Sequence, residues 1–192
     1  IPFASFVWFS HEDNGHHNQC LNRVSDVVPV IEEEGAEPIV LYPGDVWAVG
    51  TNADTQPAQA RWDEVYETLG ERTPRRSPSV SLEALVEAFT EYQSRVKDRN
   101  DWSAILDFKS RDGLPATSLY LTDLGQAVSL DLTDGLNPIT DEAAVTDVQL
   151  ASSSLHYLPT HDWGRGTLMV NARFSADYEG IHRFLAQTRI AY

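Results

Sequence analysis

Cysteine is almost missing from this chain. Cys20 stands alone among 192 residues, so no disulfide forms within the chain and no paired-cysteine zinc site exists. That usage fits a reducing compartment, and a cytoplasmic location is the expectation. Long apolar runs are missing too: no stretch approaches the roughly 20 apolar residues of a membrane helix, so no membrane span is expected. Basic side chains are scarce, 14 against 29 acidic ones, and the formal charge is -15. Such a surface repels phosphate backbones and anionic lipid, which removes nucleic acid from the expected partners and leaves solubility as the ordinary use of the charge. No serine sits in a G-x-S-x-G elbow, and Ser152, Ser153 and Ser154 read as helix caps, so a serine hydrolase is rejected although His156 and His161 flank Pro159 nearby.

The most legible stretch runs from Ser118 to Arg173. Leu119 and Leu121 alternate with polar neighbours, as do Val128, Leu130 and Leu132 after the turn Asp123-Leu124-Gly125, which predicts two half-buried strands joined as a hairpin. Asp134-Gly135 ends the second strand in a tight turn. A third strand is expected at Asp147 to Ala151 and a short helix through Leu155 and Leu158, stopped by Pro159. A fourth strand is expected at Thr167 to Arg173, with Leu168 and Val170 on one face.

Upstream, Ala4 to Phe9 is aromatic and apolar without a break, the pattern of a strand covered on both faces. Because the chain opens inside that stretch, with no basic n-region of a signal peptide, something is expected to precede Ile1. Ser25 is placed to cap a helix over Asp26 to Glu34, with Gly35 as its stop. Pro38 to Tyr42 and Val46 to Val49 read as strands on either side of Pro43-Gly44-Asp45, giving an α/β unit. Loosely helical spacing returns between Gln56 and Gly70. The polar, proline-bearing run Gly70 to Pro78 is the candidate boundary, and its three arginines read as a solvated linker. Ser81 then caps a strong helix, Leu82 to about Asp98, with an apolar stripe of Leu82, Leu85, Val86, Phe89 and Val96. A short element around Trp102 to Phe108 and a final amphipathic helix through Tyr178, Ile181, Leu185 and Ile190 complete the chain.

Three of the six histidines fall within seven residues, in Ser10-His11-Glu12-Asp13-Asn14-Gly15-His16-His17-Asn18-Gln19-Cys20. Imidazole suits zinc, iron and copper, so His11, His16 and His17 are the candidate metal ligands, with Glu12, Asp13 or Cys20 to complete a shell. A glycine-containing polar loop explains the same cluster, and adjacent His16 and His17 point apart in extended backbone. Glu12 and Asp45 are the candidate acid-base groups, since each sits in a loop after an expected strand; Asp45 also fits the simpler role of closing a turn.

Two family resemblances emerge from these motifs. From Ser81 onward, the order of a long helix, a hairpin carrying Leu121, Asp123, Gly125, Leu130, Leu132 and Gly135, then Asp147-Val148, Leu150, Ser153 and Leu155, a strand and a closing helix resembles the sterol-carrier-protein-2-like domain. The resemblance covers about 110 residues and implies a sheet roofed by helices around an apolar cavity for a lipid-like ligand, or a module appended to a hydrolase. Leu119, Leu121, Val128, Leu130, Leu168 and Val170 would line that cavity, or else form a closed core. The first segment, PFASFVWFSHEDNGHHNQ with VLYPGDVW, is similar to the terminal part of metallo-β-lactamase-fold proteins of the group that includes the sugar-nucleotide N-acyl hydroxylases. His11, Glu12, Asn14, Asn18, Pro43, Gly44 and Asp45 carry that similarity, which implies Asn14 and Asn18 as substrate contacts. The H-x-H-x-D-H metal motif of the fold does not occur in this chain. The implied zinc or iron would therefore be held mainly by an upstream domain or partner chain.

The organisation expected is an α/β segment over 1–72, a linker over 73–80 and an α+β, sterol-carrier-2-like domain over 81–192. Three functions stay open. The chain is the C-terminal part of a metal-dependent hydrolase or oxygenase, shaping the substrate pocket or a dimer contact and inactive alone; or it carries a hydrophobic ligand; or it is a structural, homodimerising domain.

Overall fold

Residues 11–15, 22–111, 113–140 and 146–188 are described by a computed structural model. They form a mixed α+β fold of seven α-helices and one open, mostly antiparallel five-stranded sheet. The chain divides into two units, one holding described residues 22–74 and the other residues 11–15 together with everything described from Arg75 onward. The segment around Glu12, read from the sequence as part of the first unit, thus packs with the second.

In the first unit α1 (Val24–Glu33) and α2 (Gln56–Glu67) are followed by a 3-10 turn at Leu69–Glu71. The cap of α1 is Arg23 instead of Ser25, and its N–H donates to the Asp26 carboxylate at 2.8 Å. Gly35 ends the helix at φ +75°, the left-handed geometry that a glycine stop supplies. The strands expected at Pro38 to Tyr42 and Val46 to Val49 are not formed. Pro38 and Pro43 lack N–H donors, and the chain folds at Pro43-Gly44 into a turn. Asp45 closes it, its N–H donating to the Tyr42 carbonyl at 2.8 Å and its carboxylate accepting the Tyr42 N–H at 2.9 Å. Val46 is left 96% exposed. The α/β reading of this segment is corrected: its described residues are helical and irregular, and the strand expected at Ala4 to Phe9 lies outside the described residues.

In the second unit α3 (Leu82–Arg99) begins as the sequence predicts, with the Ser81 hydroxyl accepting the Ala84 N–H at 3.3 Å. It buries Leu85, Ala88, Phe89, Tyr92 and Val96, one stripe at helical spacing. The short α4 (Trp102–Ser110) is capped by Asp101. Next come β1 (Thr117–Leu121) and β2 (Gln126–Asp131), an antiparallel pair with Leu119 opposite Val128. A strand absent from the sequence reading, β3 (Gly135–Pro138), continues the meander, because Gly135 at φ +86° turns the chain back instead of leaving the sheet. The chain then crosses to β4 (Val148–Leu150), which runs parallel to β1 with Leu121 opposite Leu150.

The stretch expected as a fourth strand is helical. α5 (Ser152–Thr160) leads into α6 (Gly164–Asn171), and a Cβ at Gly164 would lie 2.5 Å from the Leu158 carbonyl oxygen, so glycine is what lets the two helices meet this closely. On a helix Leu168 and Val170 no longer share a face: Leu168 is buried and Val170 is 44% exposed. Pro159 sits inside the last turn of α5, and its carbonyl accepts the Arg95 guanidinium. The two-residue β5 (Ser175–Ala176) pairs with β4, giving the sheet order β3-β2-β1-β4-β5, and α7 (Tyr178–Thr188) closes the unit.

Leu119, Leu121, Val128 and Leu130 from the sheet join Phe89 and Val96 of α3, Leu155 and Leu168, and Phe174 and Phe184 in one buried cluster. Several polar side chains are buried as well, among them Thr117, Ser152, Ser154 and Gln187. Gln187 of α7 accepts the Leu132 N–H at 2.6 Å and donates to the Leu114 and Pro115 carbonyls, satisfying backbone groups that the β2–β3 turn and the entry to β1 would otherwise bury unpaired. Gln187→Met keeps the volume and removes these bonds, so it is expected to lower unfolding free energy by about 2 to 4 kcal/mol in urea denaturation.

Candidate functional site

Parallel pairing of β1 with β4 brings the carboxyl ends of both strands to the same edge of the sheet, the place where sheets with parallel neighbours bind ligands. A cleft of about 630 Å³ opens there. Among the described residues it is lined by Thr122 and Asp123 beyond β1, by Gln149 to Ala151 at the end of β4, by Arg173 and Ser175, and by two segments from elsewhere, Glu12 to Gly15 and Arg75 to Ser77.

The floor is fixed by Asp123. Its carboxylate accepts the Ser152 N–H at 2.7 Å and the Ser152 hydroxyl at 2.6 Å, and the same hydroxyl oxygen accepts the Val80 N–H at 2.7 Å. Ser152, expected as a helix cap, therefore serves as a junction between β1, the start of α5 and the lead into α3. Burial works against the charge on Asp123, but the hydrogen bonds from Ser152 and Ser79 outweigh it and hold the carboxyl below its ordinary value.

The wall is a clip made by residues 11–15. Helix α6 ends with unpaired carbonyls, as every helix does, and the clip supplies their donors: Asn14 Nδ2 reaches the Asn171 carbonyl at 2.6 Å, and the Gly15 N–H reaches that of Ala172 at 2.5 Å. Ala172 itself adopts φ 47°, the left-handed conformation that turns the chain out of α6. The next residue, Arg173, grips the Asp13 carboxylate with Nε at 2.9 Å and Nη2 at 3.2 Å, a two-point ion pair. Ser154 adds a hydroxyl donor to Asp13 at 2.7 Å, and Arg173 also reaches Ser77 Oγ at 3.2 Å. The other edge of the clip lies alongside Arg75, whose carbonyl accepts the Glu12 N–H at 3.0 Å.

Against this geometry the expected site residues separate. His11, Glu12 and Asn14 lie together in the clip, and Asn14 has both ends of its amide engaged, since Oδ1 also accepts the His11 N–H at 2.8 Å. Burial, followed by the Arg173 guanidinium charge and, more weakly, that of Arg75, holds the His11 imidazole below its ordinary value against the pull of Asp13. His16, His17, Asn18 and Cys20 lie outside the described residues. Among the described residues no group of three or more His, Cys, Asp or Glu converges in a way that could hold a metal ion. Asp45 belongs to the first unit, where Arg61 binds its carboxylate at 2.5 and 2.6 Å and holds its pKa below the usual value, so it is a turn residue and a poor base. The residues the sequence reading missed are Arg173, Asp123, Gln149 and Ser175, along with Arg75 and Arg76, which it took for linker. Arginine concentrated in one place on so acidic a chain was the available signal.

No protein-family model, no curated protein and no solved structure matches this chain. What the site can do rests on its own chemistry: a half-open polar cleft with charges of both signs and a fixed backbone frame.

Because the folded-state pKa of Asp123 is depressed, its stabilising contribution is complete above its unfolded value near 3.8 and is lost as pH falls through the lower folded value. Urea titrations from about pH 5 toward pH 2 are expected to show a shallower acid loss of stability in Asp123→Asn than in the parent chain, and a lower plateau above pH 5.

Proposed function

We propose that this chain is the pocket-forming, C-terminal part of a metal-dependent hydrolase or oxygenase of the metallo-β-lactamase fold, with the metal core supplied by an upstream domain or a partner chain. The observation that carries this reading is the position of the His11-Glu12-Asp13-Asn14 segment. Two of the residues that bear the resemblance to that fold, Glu12 and Asn14, stand with Asp13 in one wall of a polar cleft of about 630 Å³, fastened to α6 by Asn14 and Gly15 and to Arg173 by Asp13. Glu12 and Asn14 line the cleft, so this chain shapes and orients while the reaction itself draws on groups outside it. Zinc or iron is the implied metal, and His11, which lies in the clip but outside the cleft lining, is its candidate ligand on this chain.

The second unit fits the reading as a sterol-carrier-2-like module attached to such an enzyme. Its long helix, hairpin, crossover strand and closing helix support that resemblance, as do the bonds made by two of the residues that carry it, Asp123 and Asp147, whereas the strand the resemblance expects at Thr167 to Arg173 is largely helical. A carrier of hydrophobic ligands draws less support, because Leu119, Leu121, Val128 and Leu130 pack into the shared core with Leu168, and Val170 faces outward.

Metal analysis after chelation and reloading tests the proposal. The chain alone is expected to bind less than one equivalent of zinc or iron, and to acquire metal and turnover only together with the upstream sequence. In that assembled enzyme Gln149→Ala is expected to raise KM about tenfold while leaving the melting temperature unchanged. Stoichiometric metal on the chain alone, abolished by His11→Ala, would overturn the reading.

A further inference from the structure

The groups around the cleft are unequally engaged, and the imbalance has a sign. Of its three carboxylates, Asp13 and Asp123 are already satisfied by Arg173, Ser154 and Ser152, and Glu12 lies within 3.9 Å of Arg76, while Arg173 is taken up by Asp13 and Ser77. Arg75 is different. Its side chain has no hydrogen bond or ion pair among the described residues, and Arg76 reaches only Glu12, at 3.9 Å, with both side chains mostly exposed. A loose surface pair of that kind contributes little. The backbone that carries the two arginines is nonetheless held, because the Arg75 carbonyl is bonded to the clip. Elsewhere on the lining, Gln149 and Ser175 are paired across β4 and β5, so their side chains stand on one face with amide and hydroxyl exposed. Two guanidinium groups that hold no close hydrogen bond among the described residues, one of them loosely paired with Glu12, therefore share a cleft with neutral groups able to bond hydroxyls or amides.

Resting on the reading of this cleft as a substrate pocket, we infer that it takes a small molecule bearing an oxyanion, either a carboxylate or a phosphate, which Arg75 and Arg76 hold while an uncharged hydroxyl- or amide-bearing part lies over Gln149 and Ser175. The charge of the whole chain makes the two arginines necessary. With a formal net charge of -15 the surrounding field repels an anion, and only donors within contact distance reverse that locally. A planar guanidinium also offers two parallel N–H bonds to either oxyanion.

The test follows the arginine Nε–H and glutamine side-chain amide resonances of the chain during titration with inorganic phosphate, acetate and glucose. Phosphate or acetate is expected to shift the Arg75 and Arg76 signals saturably. The Arg75→Gln, Arg76→Gln double variant is expected to bind that anion at least about tenfold more weakly, whereas Arg72→Gln, an exposed arginine outside the cleft, leaves binding unchanged. Tighter phosphate assigns a phosphate-bearing ligand, and tighter acetate a carboxylate. Equal binding by the parent and the double variant overturns the inference. If glucose shifts the Gln149 signal while neither anion moves the arginines, the inference falls and the pocket reading stands; if none of the three probes shifts any cleft signal, both fall.

Discussion

The parallel contact between β1 and β4 is the constraint from which the second unit follows. Only three residue pairs form it, and parallel ladders are the weaker kind, so side chains reinforce it at both ends. Where the pair begins, Asp147 from the approach to β4 accepts the Ser118 N–H and hydroxyl of β1, each at 2.9 Å. Where it finishes, the roles reverse: Asp123 from the exit of β1 accepts the N–H and hydroxyl of Ser152 beyond β4. Each aspartate spans 29 residues of chain and meets a serine that offers two donors. Charge-assisted bonds of this type are roughly twice as strong as neutral ones, and two such clamps offset the cost of closing the long crossover between the strands. Arg183 of α7 binds the outer oxygen of Asp147 at 2.8 Å, and a Cβ at Gly180 would lie 2.2 Å from the Asp147 carbonyl oxygen, so the closing helix docks directly on the first clamp.

The second clamp decides where a cleft can exist. With Asp123 and Ser152 locked together, α5 must start at that edge, α6 must turn back after it, and the end of α6 arrives beside the strand ends with its carbonyls unpaired. The clip answers that need residue by residue, Asp13, Asn14 and Gly15 meeting Arg173, Asn171 and Ala172. A helix end buried without donors would cost free energy for each orphaned carbonyl, so a segment far away in sequence is drawn in, and the space it walls off is polar because its lining consists of strand ends, a helix end and the groups that satisfy them.

Which parts of this were legible in the sequence follows from the range of the forces involved. The hairpin, α3 with its Ser81 cap, and the stop at Gly35 are set by local periodicity and local backbone chemistry, and their residues announce them. The strand expected around Leu168 and Val170 failed because two alternating apolar residues fit helix and strand equally, and the deciding feature, the tolerance of Gly164 for the Leu158 carbonyl, is tertiary. The strands expected around Ile39 and Val46 failed for the complementary reason: apolar, β-branched residues favour a ladder only where a partner strand lies alongside, and none does among the described residues. In the site, Glu12 and Asn14, singled out by their polar loop and by the resemblance, both line the cleft. Arg173, Asp123, Gln149 and Ser175 were not singled out as site residues, since nothing in sequence links positions that meet only after the crossover has formed.

Register ties the core to the cleft. Leu119, Leu121, Val148 and Leu150 are buried, while Tyr120 and Gln149, the residues between them, are exposed and paired with one another across the parallel contact. Shifting either strand by one residue would turn every leucine toward water and remove Gln149 from the cleft in the same movement. The burial of four apolar side chains thus opposes any misplacement of a single amide, and the aspartate clamps, by fixing the same register, orient the lining as firmly as they hold the sheet. A pocket built this way needs no separate stabilisation of its polar face: the energy that holds it in shape is spent on the far side of the sheet.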